Sequence, residues 1–386
     1  MNAVMNTYAR FPLTLVRGEG ARVWDDAGNC YLDFISGIAV DTLGHAHPKM
    51  TEALSAQAAT MLHCSNLFHI PKQKQLAEKL CRASGLDAAF FCNSGAEANE
   101  AAIKLARKYF HDQGSTRRTV ITATQSFHGR LLSTLTATGQ DKVKIGFDPL
   151  PAGFVHVPLN DLDALKEVIS SQTAAILLEP LQGEGGVNIA DAAYLQAVRK
   201  LCDEHGILLM LDEVQTGIGR CGTMFAFEQA GIKPDILTLA KGLGGGVPIG
   251  AMLATDAAAA SFGPGTHGST FGGNPLSCTA ALTVLDVLEE ESLLENVNAR
   301  GEQLMQGLKA LQPRFPVIRE VRGQGLLIGV ELSVESAPFI AGARERGLLV
   351  LAAGPNVLRL LPPLNVTEAE VDEALVTLIT VMENAQ

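Results

Sequence analysis

Residues 207–215 read Ile207-Leu208-Leu209-Met210-Leu211-Asp212-Glu213-Val214-Gln215, and residues 235–242 read Asp235-Ile236-Leu237-Thr238-Leu239-Ala240-Lys241-Gly242. Each is a short, mostly aliphatic run without polar alternation that leads into an ionisable residue. A strand buried on both faces reads this way, because a parallel sheet covered by helices has no wet face. Five more such runs lie at 88–92, 118–123, 153–157, 174–179 and 249–254. Amphipathic stretches at 98–111, at 161–171 behind Asn160 as a cap, and at 192–205 separate several of them. This alternation predicts an α/β fold with a seven-stranded, mostly parallel sheet. Residues 241–248 are too few for a helical crossover, so an antiparallel strand is expected there, at the sheet edge.

Beyond Pro275 the texture changes. A long helix is predicted at 276–291, strand-like pieces at 317–321, 326–332 and 348–351, and a final helix at 368–384. The expected division is an N-terminal segment, 1–48, that joins the smaller domain or a dimer surface. A large domain, 49–275, and a small C-terminal α+β domain, 276–386, follow it. The chain has 386 residues, which allows roughly two to three domains of ordinary size.

Composition removes several function classes. Hydrophobic residues make up 47% and charged residues 18%, a globular balance. With 30 Lys and Arg against 41 Asp and Glu the net charge is −11, which argues against a nucleic-acid partner. An anionic substrate must therefore be captured locally by a few placed arginines. The seven cysteines are scattered, with no C-x-x-C pair, and are expected to be reduced and mostly buried. No apolar run approaches a membrane span and the first twelve residues carry no signal-peptide pattern, so a cytoplasmic protein without membrane partners is expected.

The site of an open α/β sheet lies at the carboxyl ends of its strands. After 88–92 come Asn93-Ser94-Gly95-Ala96-Glu97, where the S-x-x-E spacing of a capping box starts a helix whose small first residues can cradle an anion. After 118–123 come Ser126-Phe127-His128-Gly129-Arg130, an aromatic ring that could stack and an arginine that could hold a carboxylate. Pro180-Leu181-Gln182-Gly183-Glu184-Gly185-Gly186 is a glycine loop carrying one acid. Asp212 closes an apolar run, and a carboxylate buried there needs a cation. Lys241, at the end of the next run and followed by glycines, is the candidate. Lysines in such places shift their pKa and form Schiff bases.

Two patterns are decoys. Gly217-Ile218-Gly219-Arg220-Cys221-Gly222 matches a dinucleotide fingerprint, but no helix is expected to begin inside it. His45-Ala46-His47 lacks a third ligand at sensible spacing and reads as a turn before a helix, so no metal is expected. His63 and His69 read as packing residues.

These residues resemble the class III, pyridoxal-phosphate-dependent aminotransferases of fold type I. The resemblance runs from Gly20–Asp33 to Arg359-Leu360-Leu361-Pro362-Pro363-Leu364 and rests on residues 93–100, 127–130, 212–219 and 239–242. Within that class Gly37-Ile38-Ala39-Val40, Leu43-Gly44-His45 and Ser65-Asn66-Leu67 are similar to the acetylornithine aminotransferases.

The resemblance implies pyridoxal 5'-phosphate as cofactor, carried on Lys241 as a Schiff base. Asp212, flanked by Glu213 and Val214, would pair with the pyridine nitrogen, Gln215 would bond the ring hydroxyl, and Phe127 would lie on the ring face. Gly95 and Ala96 would bind the phosphate. Ser269 and Thr270 would reach it from the neighbouring subunit, with Ser269 also among the substrate-binding residues. A homodimer with a shared active site follows.

Arg130 would clamp the carboxylate of an acylated diamino acid and the far carboxylate of 2-oxoglutarate. Arg359 would take the second carboxylate of 2-oxoglutarate, and Glu184 would neutralise Arg359 in its absence. Ornithine aminotransferases carry a tyrosine at the position aligned with Ile38. An aliphatic residue there favours an N-acylated diamine over free ornithine. Acetyl or succinyl substrate, and synthesis or breakdown of arginine, stay open at this level. So do transamination of free ornithine or 4-aminobutyrate and a mutase reaction, while a regulator that senses the cofactor is set aside because the resemblance leaves no room for a basic DNA-binding module.

Overall fold

The computed structural model describes residues 3–384 of the chain. Its centre is a seven-stranded sheet. In chain order the strands are β4 (Ala88–Cys92), β5 (Thr119–Ala123), β6 (Phe154–Val157), β7 (Thr173–Leu178), β10 (Leu208–Asp212), β11 (Ile236–Leu239) and β12 (Gly250–Ala254). In space they run β4-β12-β11-β10-β7-β5-β6. Every residue of β7, β10, β11 and β12 is buried, as their unbroken apolar sequences require. Truncating Leu209 or Leu237, both 0% exposed, would leave a cavity costing about 2–5 kcal/mol.

β12 is antiparallel to both its neighbours, β11 and β4. Its direction follows from the short connection, but its expected edge position does not hold. β4 pairs with its outer side over five residues, Ala88 to Cys92, and takes the edge instead. The Leu162–Val168 helix also departs from expectation at its start. Asp161, not Asn160, is its cap, accepting from the Ala164 N–H at 2.9 Å. Asn160 has φ of 63°, and its side-chain amide bonds Ile189 and Asp191 of a neighbouring loop.

Among the described residues three smaller sheets accompany the seven-stranded one. β1 (Leu15–Glu19), β2 (Arg22–Asp25) and β3 (Cys30–Asp33) form an antiparallel ribbon, and β3 pairs in parallel with β15 (Leu348–Leu349). β13 (Ile318–Gln324), β14 (Leu327–Leu332), β17 (Val357–Leu360) and β16 (Leu351–Ala352) form a second sheet in that order. The expected single strand at 348–351 is thus two short strands in different sheets. β8 (Leu181–Gln182) and β9 (Asn188–Ile189) form a hairpin that encloses the glycine loop.

The Ala192–His205 and Glu368–Asn384 helices have their expected bounds, and 276–291 becomes Pro275–Glu290. Helices Pro48–Thr60, Pro71–Ser84 and Leu293–Lys309 come in addition. Residues 1–2 and 385–386, the outermost ends of the expected domain division, lie outside the described residues. Among the described residues no helix is long and apolar enough to cross a membrane.

Candidate active site

A cavity of about 440 Å³ opens at the carboxyl ends of the central strands. Gly95, Ala96, Phe127, Arg130, Glu184, Asp212, Val214, Gln215 and Lys241 all stand in its wall. Parallel pairing of β10 with β11 sets Asp212 beside Thr238, and the chain then delivers Lys241 just past the end of β11. Lys241 itself has φ of 41°, a left-handed conformation that costs a non-glycine residue energy and recurs at functional sites. Burial holds its amine below the ordinary lysine range.

The Gly95–Asp112 helix begins at the cavity. Ser94 caps it by accepting from the Glu97 N–H at 3.2 Å. The expected reciprocal bond goes elsewhere, since Glu97 accepts from the Asn93 N–H at 2.6 Å and from Asn93 Nδ2 at 3.0 Å. The first helical amides, those of Gly95 and Ala96, therefore border the cavity, where an anion would meet them. A Cβ on Gly95 would lie 2.7 Å from Val214 Cγ1, so only glycine lets the helix start so close to the Asp212 loop.

Asp212 is 4% exposed, yet the cation expected beside it is not Lys241 in direct contact. Its partners are Asn99 Nδ2 at 2.7 Å, His128 Nδ1 at 2.8 Å and the Val214 N–H at 3.0 Å. Three donors stabilise a carboxylate without the lysine in contact. Glu179, also in the wall, accepts from the Phe127 N–H at 3.0 Å. Burial and the neighbouring Asp212 push its carboxyl well above the usual range.

Arg359 lies on β17, 1% exposed, and reaches the cavity through Glu184 and Gln215. Its Nη1 donates to Glu184 Oε1 at 2.6 Å, to the Gly183 carbonyl at 2.8 Å and to Gln215 Oε1 at 3.2 Å. Burial raises the Glu184 carboxyl, but Arg359 and Lys241 outweigh it and hold the group below its ordinary value. A Cβ on Gly183 would sit 1.9 Å from Gln215 Oε1, so this loop also requires glycine. Arg130 is exposed at the mouth, its guanidinium 5.6 Å from the Phe127 ring centre.

One expected site residue is placed otherwise, and Ser269 and Thr270, expected to serve a neighbouring subunit, stand outside this cavity. Glu213 turns away from the cavity and accepts from the Ala226 and Phe227 N–H groups at 2.7 and 2.8 Å. Its carboxyl is pushed up to about 7 by burial, and it braces the following loop. Ser269 and Thr270 line a separate cavity with Asn93 and Glu97, and Ser269 Oγ accepts from Asn93 Nδ2 at 3.2 Å. His63 and His69 are exposed, and the His63 ring packs 5.5 Å from that of Phe271. His45 gains neighbours that spacing hid. Asp33 and Asp41 offer oxygens within 4.8 Å of it and of one another, and Asp33 Oδ2 lies 2.8 Å from His45 Nε2. Asn99, Glu179 and Thr238 escape the sequence reading. A polar residue inside an alanine-rich helix and a threonine inside an aliphatic strand are the signals that could have found Asn99 and Thr238.

The donor set fits pyridoxal phosphate. A helix N-terminus suits the phosphate, an Asp212 oxygen with an unused lone pair suits a protonated ring nitrogen, and a lysine amine suits the aldehyde.

The Aminotransferase class-III family model matches residues 3–382. The acetylornithine aminotransferase of Thermosynechococcus vestitus is 57% identical over 384 residues, covering 96% of this chain and 93% of that protein. That of Nitrosomonas europaea is 52% identical over 377 residues, covering 97% and 96%. Among solved structures, N-acetylornithine aminotransferase from Stenotrophomonas maltophilia superposes with a TM-score of 0.86 at 41% identity, covering 98% and 97% of the two chains. Ornithine aminotransferase from Toxoplasma gondii gives 0.96 at 34% identity, covering 99% and 93%.

Proposed function

This chain belongs to the class-III aminotransferases and is a pyridoxal-phosphate-dependent transaminase, and we propose that it moves the terminal amine of N2-acetylornithine to 2-oxoglutarate. The products are N-acetylglutamate 5-semialdehyde and glutamate, a step of arginine biosynthesis. The observation that carries the reading is 57% identity to an acetylornithine aminotransferase over nearly the whole chain.

When bound, the cofactor supplies a carbonyl that exchanges amines and a ring that accepts electrons. Lys241 would hold it and, once released, carry the proton at its Nζ. Asp212 would keep the ring nitrogen protonated, with Val214 beside it. Phe127 would cover the ring face, Gln215 would meet its hydroxyl, and Gly95 and Ala96 would bind the phosphate through their amides. Arg130 would take the carboxylate common to both substrates, and Arg359 the carboxylate found only beside the ketone of 2-oxoglutarate. While acetylornithine is bound, Glu184 neutralises Arg359. The aliphatic Ile38 fits an acylated substrate better than free ornithine.

The same reading makes the enzyme a cytoplasmic homodimer, divided at 1–48, 49–275 and 276–386, with Ser269 and Thr270 serving the partner's site. Exposed Leu67, Phe68 and Phe271, at 89%, 68% and 61%, lie in the segments joined by the Asn66–Ser269 hydrogen bond and support an apolar subunit contact. Turnover with acetylornithine, succinylornithine, ornithine and 4-aminobutyrate, each with 2-oxoglutarate, tests the substrate. A clear preference for ornithine or 4-aminobutyrate would refute it. Sedimentation at the mass of one chain would refute the dimer.

A further inference from the structure

Asp212 Oδ2 accepts two hydrogen bonds, from Asn99 and His128, whereas Oδ1 accepts one, from Val214. Asn99 cannot turn its amide over without losing partners. Thr238 Oγ1 donates to Asn99 Oδ1 at 2.7 Å, and Asn99 Nδ2 also donates to the His128 carbonyl at 2.9 Å. Asn99 and His128 are 1% exposed and Thr238 is 0% exposed, so no bulk water competes for these bonds. The register that pairs Asp212 with Thr238 places both ends of the Asn99 side chain. An ionised carboxylate only accepts, so His128 gives Asp212 its Nδ1 hydrogen. Glu179, another carboxyl of the cavity wall, accepts from one backbone donor where Asp212 has three donors.

We propose that Asn99, locked by Thr238, is a positioning residue that fixes Asp212 with Oδ2 saturated and Oδ1 left to receive the cofactor's ring N–H. This rests on the reading of Asp212 as the partner of that nitrogen. The enzyme would be prepared as Asn99→Ala, Thr238→Val, Thr238→Ser, Asp212→Asn and the Asn99→Ala/Asp212→Asn pair. Cofactor affinity of the cofactor-free protein and single-turnover rates with acetylornithine are the readouts.

Asn99→Ala should weaken cofactor binding and slow the half-reaction by roughly 10- to 100-fold each, the range for a lost bond to a charged group. The KM for acetylornithine should stay within about twofold, because Asn99 acts through Asp212. Thr238→Val should move both readouts the same way, and Thr238→Ser should restore them. In the Asp212→Asn background, Asn99→Ala should add less than about twofold. An undiminished Asn99→Ala loss in that background would make Asn99 merely structural and overturn the proposal. Asp212→Asn impaired while Asn99→Ala and Thr238→Val stay near wild type would overturn the proposal alone. Near-normal Asp212→Asn would overturn the Asp212 reading and this proposal with it. Should Asn99→Ala fail to fold, the two Thr238 variants decide.

Discussion

Replacing Glu184 with alanine should separate the two half-reactions. Arg359 is 1% exposed, and its only carboxylate partner among the described residues is Glu184, at 2.6 Å. Removing one partner of a buried pair typically costs about 3–5 kcal/mol. Two features reduce that here. The Glu184 side chain is 30% exposed, and Arg359 keeps the Gly183 carbonyl and Gln215 Oε1 as acceptors. About 2 kcal/mol is left, roughly thirtyfold in rate. That loss should fall on acetylornithine, which offers Arg359 no carboxylate. Glutamate brings its own, no longer has to displace Glu184, and should react as fast as before or several-fold faster. Stopped-flow absorbance of the bound cofactor, with each amine donor alone, measures the two rates. Equal losses for both donors, or none for acetylornithine, would refute the switch.

Arg359→Ala should do the reverse, damaging the 2-oxoglutarate half-reaction far more than the acetylornithine one, while Arg130→Ala should raise KM in both; steady-state kinetics with each substrate varied checks the pair. Borohydride reduction followed by peptide mass mapping should place the cofactor on Lys241, and Lys241→Ala should slow turnover by at least ~10²-fold. Because burial lowers the Lys241 pKa, its free amine exists at lower pH than that of an exposed lysine. The rate of cofactor uptake by the cofactor-free protein should therefore rise with pH to a midpoint below 10.5, and a midpoint at or above it would contradict the burial argument.

The sheet was legible because burial on both faces leaves a compositional trace: β7, β10, β11 and β12 are aliphatic at nearly every position. Lys241 and Asp212 were legible for the same reason, as ionisable residues where an apolar run stops. The edge position assigned to β12 failed because a connection's length sets strand direction but not which strand pairs on the far side. Asn160 failed as a cap because its amide had better partners in a loop distant in sequence.

Sequence alone determined the class of fold, the strand ends that carry chemistry and the residue types placed there, since these depend on local pattern and burial. Tertiary structure decided which polar groups meet. Asn99 and His128 reach Asp212 from the Gly95–Asp112 helix and the loop after β5, Thr238 of β11 holds Asn99 in place, and Glu184 meets Arg359 across 175 residues. A hydrogen bond depends on separations of about 3 Å, and those are set by strand register and packing, which no spacing along the chain encodes.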